Sequence, residues 1–181
     1  MAENNEERMQ KTVASLNDQF NTLRTGRASA SIFDRVRVDY YGTKTPLNQV
    51  ATIAIPEARS VIITPFDKSI ITDIEKAISM ADLGFNPSND GKVIRIQIPA
   101  LTAERRKELV KQASTMAENA RVSIRNIRRD GNDDLKKQQK SGEITEDGLK
   151  TETDKLQKLT DKYIDEINKI YDAKEKDIMQ N

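Results

Sequence analysis

Residues 102–140 read TAERRKELVKQASTMAENARVSIRNIRRDGNDDLKKQQK, a stretch without proline and with a sustained helical period. At about 100° of rotation per residue, Leu109, Ala113, Met116, Ala120, Ile124 and Ile127 cluster on one side. Lys107, Lys111, Arg121, Arg125, Arg128 and Arg129 fall on another. The spacing predicts a single amphipathic helix about 60 Å long. A compact core does not need that length, so the helix predicts a rod. Gly131 costs about 1 kcal/mol relative to alanine inside a helix and is expected to soften or bend the rod just past the basic stripe.

Working outward, the helix should stop at Ser141-Gly142, where glycine can take the left-handed conformation that closes a helix. Thr145 then reads as an N-cap with Glu146 and Asp147 in the first turn, and Ile144 and Leu149 have the spacing of a hydrophobic staple. Leu156, Leu159, Tyr163, Ile167 and Ile170 supply the seam of that helix. Near the N-terminus, Met9, Val13, Leu16, Phe20 and Leu23 recur at heptad spacing, predicting a helix from about Asn5 to Thr25. Three seams in one chain are most simply buried against one another as a three-helix bundle, with an intermolecular coiled coil as the alternative.

Between the first and second helices the pattern changes. Residues 27–101 hold all five prolines, five of the eight aromatics and several short β-branched runs. Val36–Tyr41 runs into Gly42, Val50–Ile55 stops at Pro56, and Ser60–Thr64 stops at Pro65, each as a short strand. Ile70, Ile74, Ala77, Ile78 and Ala81 give a helical period, Asn86–Gly91 is turn-rich, and Ile94, Ile96 and Ile98 alternate with polar residues as a half-buried strand. The fold class is therefore α+β: an elongated antiparallel three-helix bundle, residues 1–26 and 102–181, with a small β/α/β sandwich domain inserted at 27–101. Two linkers join them, Thr25-Gly26-Arg27 and Ile98-Pro99-Ala100-Leu101, and form a natural hinge.

Composition narrows the function. The chain has 181 residues, 33% charged and 36% hydrophobic, with no cysteine and no histidine. Disulfides, thiolate metal sites and thiol nucleophiles are excluded, and the commonest general base is missing. No pair among the 29 Asp/Glu sits beside an apolar signal that would raise a pKa, and there is no P-loop or GxGxxG. A catalytic role, a bound metal and a cofactor are not expected. The opening residues MAENNEERMQ are polar, and no window approaches the roughly 18 apolar residues of a spanning helix. The expectation is a cytoplasmic protein with no membrane partner.

The net charge of +1 hides a polarised molecule. Residues 101–141 carry 11 Lys/Arg against 6 Asp/Glu, whereas 142–181 carry 7 against 11. Arginine's planar fork suits bidentate phosphate recognition, so a basic edge of this kind predicts a local footprint on nucleic acid. Two readings compete with it: the arginines simply solvate a long helix, or the chain is a helical adaptor whose seams and stripes bind a protein.

Five segments carry a resemblance: LRTGRAS (23–29), VDYYGTKTPLNQVA (38–51), DLGFNPSNDG (82–91), IPALTAERRKELVK (98–111) and ARVSIRNIRRD (120–130). Together, in this order, they resemble the bacterial ribosome recycling factor family along nearly the whole chain. The resemblance implies an L-shaped monomer. It implies that the protein binds the post-termination ribosome and works with elongation factor G and GTP to separate the subunits, hydrolysing nothing itself. The implied contacts are with large-subunit rRNA, through Arg24 and Arg27 of the RTGRAS motif, Arg125 and Arg128, which match arginines of the family's VRNVRRD-type segment, and Arg106, Arg121 and Arg129. Arg24 and Arg27 could instead cap the first helix or pair with an acid across the hinge. Gly131 departs from the alanine that the resemblance implies after RRD.

Overall fold

A computed structural model describes residues 2–180. In chain order it contains α1 (Ala2–Asn21), β1 (Arg37–Tyr40), β2 (Thr43–Pro46), a single helical turn α2 (Leu47–Val50), β3 (Ala51–Glu57) and β4 (Ser60–Pro65). There follow α3 (Ile71–Met80), β5 (Ser88–Asn89), β6 (Ile94–Gln97), α4 (Ala103–Lys140) and α5 (Glu146–Gln180). The chain divides into two compact units, the residues up to Thr25 together with Ala103–Gln180, and Gly26–Thr102.

The first unit is the three-helix bundle. Met9, Val13, Leu16 and Phe20 are buried on α1, but the helix stops at Asn21, so Leu23 lies beyond it and is half-buried. On α4 the buried line is Leu109, Ala113, Ala117, Ala120, Ile124, Ile127 and Gly131. Ala117 is buried where Met116 was expected to be, and Met116 is half-buried, because helical rotation carries Met116 to the edge of the buried arc. On α5 the seam is Leu156, Thr160, Tyr163, Ile167 and Ile178, while Leu159 and Ile170 are only half-buried. Thr160 tolerates full burial because its hydroxyl donates to the Leu156 carbonyl at 2.8 Å. Complete burial of an Ile or Met side chain contributes about 1.5–3 kcal/mol each, and Met9, Ile124 and Ile167 are all fully buried.

Three pairings set the register of α4 against α5. Arg106 donates to the Met179 carbonyl at 2.7 Å, Arg121 to Asn168 at 2.8 Å, and Arg128 to Gln157 at 3.1 Å. Rising numbers on one helix meet falling numbers on the other, so the two are antiparallel. On the opposite side, the Tyr163 hydroxyl donates to Glu6 at 3.0 Å, tying α5 to α1.

The helix ends follow capping chemistry. Gly142 has φ +80°, the Glu143 N–H donates to Gln138 at 2.9 Å and the Gly142 N–H to Gln139 at 3.2 Å, a Schellman closure of α4. The Thr145 hydroxyl accepts the Gly148 N–H at 3.0 Å and caps α5.

Gly131 does not interrupt α4, which runs unbroken from Ala103 to Lys140. The position also has a packing role. A Cβ built on Gly131 would stand 2.7 Å from Leu156 Cδ2 and 2.9 Å from Asn5 Nδ2. Side chains of both α1 and α5 thus come up against the glycine.

The second unit carries a two-stranded sheet, β1-β2, and a four-stranded antiparallel sheet ordered β3-β4-β6-β5. Strand β2 was not expected: Tyr41 (φ +49°) and Gly42 (φ +82°) form a two-residue hairpin with left-handed backbone at both positions. Asp39 accepts the Gly42 N–H at 3.1 Å and steadies that turn. Strand β3 runs through Pro56 instead of stopping there. It is an edge strand, and its register shifts between Ala54 and Glu57, where a residue without N–H is tolerated. The turn-rich segment also holds the two-residue β5. Val61, Ile63, Ile94 and Ile96 bury one face of the sheet together with Ile74 and Ile78 of α3.

Candidate nucleic-acid interface

Helical geometry places Lys107, Lys111, Arg121, Arg125, Arg128 and Arg129 in one sector of α4, about 100° wide and about 33 Å long at 1.5 Å per residue. The phosphates of a nucleic-acid strand repeat along such a line, and counterion release makes each contact salt-sensitive. The structure separates these cations by what already holds them.

Arg121 is the most committed. Its side chain is only 19% exposed, its Nε donates to Asn168 and its Nη1 sits 3.0 Å from Glu118. Arg128 is half-buried and donates to Gln157, which itself donates to Asp161 at 2.9 Å. Both therefore clamp α4 to α5 while keeping a charged edge at the surface. Arg125 points further out, 48% exposed, with Glu118 at 3.5 Å. Arg129 is exposed. Arg106, also expected in the site, gives its Nη1 to the terminal turn of α5, where a cation satisfies a carbonyl left without a helical partner. Arg24 and Arg27 are exposed and flank the boundary between the two units.

The positions expected to form a hinge differ in burial. Thr25 and Gly26 are buried, with Gly26 at φ +80° and an added Cβ meeting Leu101 Cγ at 3.1 Å. Pro99 and Ala100 are exposed. Among the described residues no cluster of acidic side chains could hold a metal ion, and no helix is long and apolar enough to cross a membrane.

Sequence reasoning missed Glu118, Asn168 and Gln157. Glu118 had a local signal, since it precedes Arg121 by three residues and Arg125 by seven on one helix face. Asn168 and Gln157 had none, because only the packing of α5 brings them to the arginines.

The family model described as Ribosome recycling factor matches residues 16–179. The chain belongs to the ribosome recycling factor family. It is 62% identical over 178 residues to the ribosome-recycling factor of Treponema denticola, covering 98% of this chain and 96% of that one. With the ribosome-recycling factor of Bacillus licheniformis it shares 56% identity over 174 residues, covering 96% and 94%. Among solved structures, a solution structure of the ribosome recycling factor is similar at TM-score 0.74 with 43% identity, covering 98% of this chain and 94% of that one. A second, described as models for the Thermus thermophilus ribosome recycling factor and the Escherichia coli elongation factor G bound to the E. coli post-termination complex, matches at TM-score 0.61. Its identity is 41%, with 98% and 96% covered. Family membership selects the translation-factor reading over the helical adaptor, and the mixed fold of long helices and a small antiparallel domain is the one these structures share.

Proposed function

We propose that this protein binds the post-termination ribosome through the arginine face of α4 and, with elongation factor G and GTP, promotes dissociation into subunits with release of mRNA and tRNA. The observation that carries the reading is the alignment of Arg121, Arg125, Arg128 and Arg129 on one helix face of a ribosome recycling factor family member. A similar protein has been placed on the post-termination complex with elongation factor G. A surface of this kind suits large-subunit rRNA: Arg121 and Arg128 are held by α5, and Arg125 and Arg129 supply more exposed charge for phosphate. Arg24 and Arg27 add exposed cations, and Arg106 acts mainly by holding the end of α5.

In this reading the protein has no catalytic residues, metal or cofactor of its own. GTP hydrolysis belongs to elongation factor G, and this protein, a cytoplasmic monomer, converts the resulting push into subunit separation. Thr25, Gly26, Arg27, Pro99, Ala100 and Leu101 serve as the hinge through which the inserted unit transmits it.

Light scattering of post-termination ribosomes tests the proposal. Scattering should fall only when the protein, elongation factor G and GTP are all present. A persistent signal with partners shown to be active would refute it.

A further inference from the structure

Every cation between Lys107 and Arg129 in the basic sector of α4 faces solvent or α5, and the sector holds one carboxylate, Glu118. That carboxylate is not placed at random. One oxygen, Oε2, lies 3.0 Å from Arg121 Nη1, and the other, Oε1, lies 3.5 Å from Arg125 Nη1. It thus bridges two guanidinium groups as a phosphate would, with two oxygens on two forks.

The two sides of the bridge are unequal. Arg121 is fixed independently by Asn168 on α5, so it does not need Glu118 to hold its position. Arg125 is half-exposed, and among the described residues its ion pair is the longer contact to Glu118. The carboxylate itself remains well exposed. An exposed pair of this geometry contributes little to stability, yet its charge sits where an incoming phosphate must approach.

We propose that Glu118 is an internal competitor for phosphate that sets the selectivity of the arginine face. Flexible or generic RNA has to displace the carboxylate from Arg125 and suffers its repulsion. A rigid rRNA surface that engages several cations at once overcomes that single opposing charge. Glu118 is in this sense a specificity-determining residue, and the inference rests on the RNA-binding reading above.

The test uses the full-length protein, a single-stranded poly(U) probe and purified ribosomes, each titrated across a salt series. Glu118→Gln should tighten poly(U) binding roughly three- to tenfold at low salt and steepen its salt dependence by up to about one unit of log slope. Adding Arg125→Ala should abolish the gain. Ribosome affinity should rise less than poly(U) affinity, so that the ratio between them falls. Unchanged poly(U) affinity and slope for the Glu118→Gln protein would overturn the proposal, as would a gain that survives Arg125→Ala. The underlying reading fails separately: Arg125→Ala combined with Arg129→Ala would then leave ribosome binding at wild-type strength. Circular dichroism confirms that each variant is folded, and Glu118→Ala provides a second substitution at the same site.

Discussion

Replacing Gly131 with alanine sets two effects of similar size against each other. In a helix interior the change from glycine to alanine is favourable by about 1 kcal/mol. The new methyl, however, would meet Leu156 Cδ2 at 2.7 Å and Asn5 Nδ2 at 2.9 Å, roughly 1 Å inside the usual contact distance of about 3.5–4.0 Å. Room to retreat exists, because Gly131, Asn5, Leu135 and Leu156 line a cavity of about 540 Å³. Pushing Leu156 off its rotamer costs about 0.5–1.5 kcal/mol, whereas the Asn5 amide, on the half-buried first turns of α1, turns aside easily. The net change for Gly131→Ala should therefore lie within about 0.5 kcal/mol of zero.

In a Leu156→Ala background, itself destabilised by about 2–5 kcal/mol, the harder of the two obstructions is gone and Gly131→Ala should recover most of the gain of about 1 kcal/mol. Urea denaturation of all four proteins, followed by far-UV circular dichroism, gives the coupling directly. Equal effects of Gly131→Ala in both backgrounds would show that the close approach carries no energetic weight.

Tyr163→Phe removes the hydrogen bond that links α5 to Glu6 of α1, and should cost about 1 kcal/mol in the same assay. Ile74→Ala, at a fully buried position between α3 and the sheet, should cost about 2–5 kcal/mol and show as an earlier urea midpoint. The Asp67 carboxyl is held below its ordinary pKa by hydrogen bonds from the Ser69 side chain and backbone, and that of Asp90 by the N–H groups of Val93 and Lys92. Their folded-state pKa values lie below the unfolded ones, so their contribution is complete above about pH 3.9 and is lost as pH falls through the depressed values. Asp90→Asn should accordingly flatten the acid limb of the stability–pH curve, read as thermal midpoint against pH. Arg125→Ala with Arg129→Ala should leave the fold intact, weaken ribosome binding and lower the salt slope by about two units, as measured by pelleting across a salt series.

Elements that repeat or terminate by local chemistry are readable from the order of residues alone. The heptad line from Met9 to Phe20, the buried alternation of Ile94 and Ile96, the Schellman closure at Gly142 and the Thr145 cap are all visible because each depends on residues within one or two turns. The arginine face was legible for the same reason, since helical geometry alone places Arg121, Arg125, Arg128 and Arg129 together. Short-range reasoning misled at Pro56, whose missing N–H matters in a central strand but not at an edge, and strand order is not written in the local sequence. The second strand of the Tyr41-Gly42 hairpin escaped notice because tyrosine is uncommon in left-handed backbone.

Which arginines are clamps and which are more exposed depends on the packing of α5 against α4. Asn168 lies 47 residues from Arg121, and Gln157 lies 29 from Arg128; both reach the stripe because α5 packs back antiparallel along α4. Gly131 shows the same division. Read along the chain it is a weak point in a helix, but packed among Asn5 and Leu156 it is a place where side chains of two other helices crowd the space a methyl group would take. Local propensity acts on a residue through its neighbours in sequence, whereas burial and pairing act through its neighbours in space, and one chain does not display the second set until it has folded.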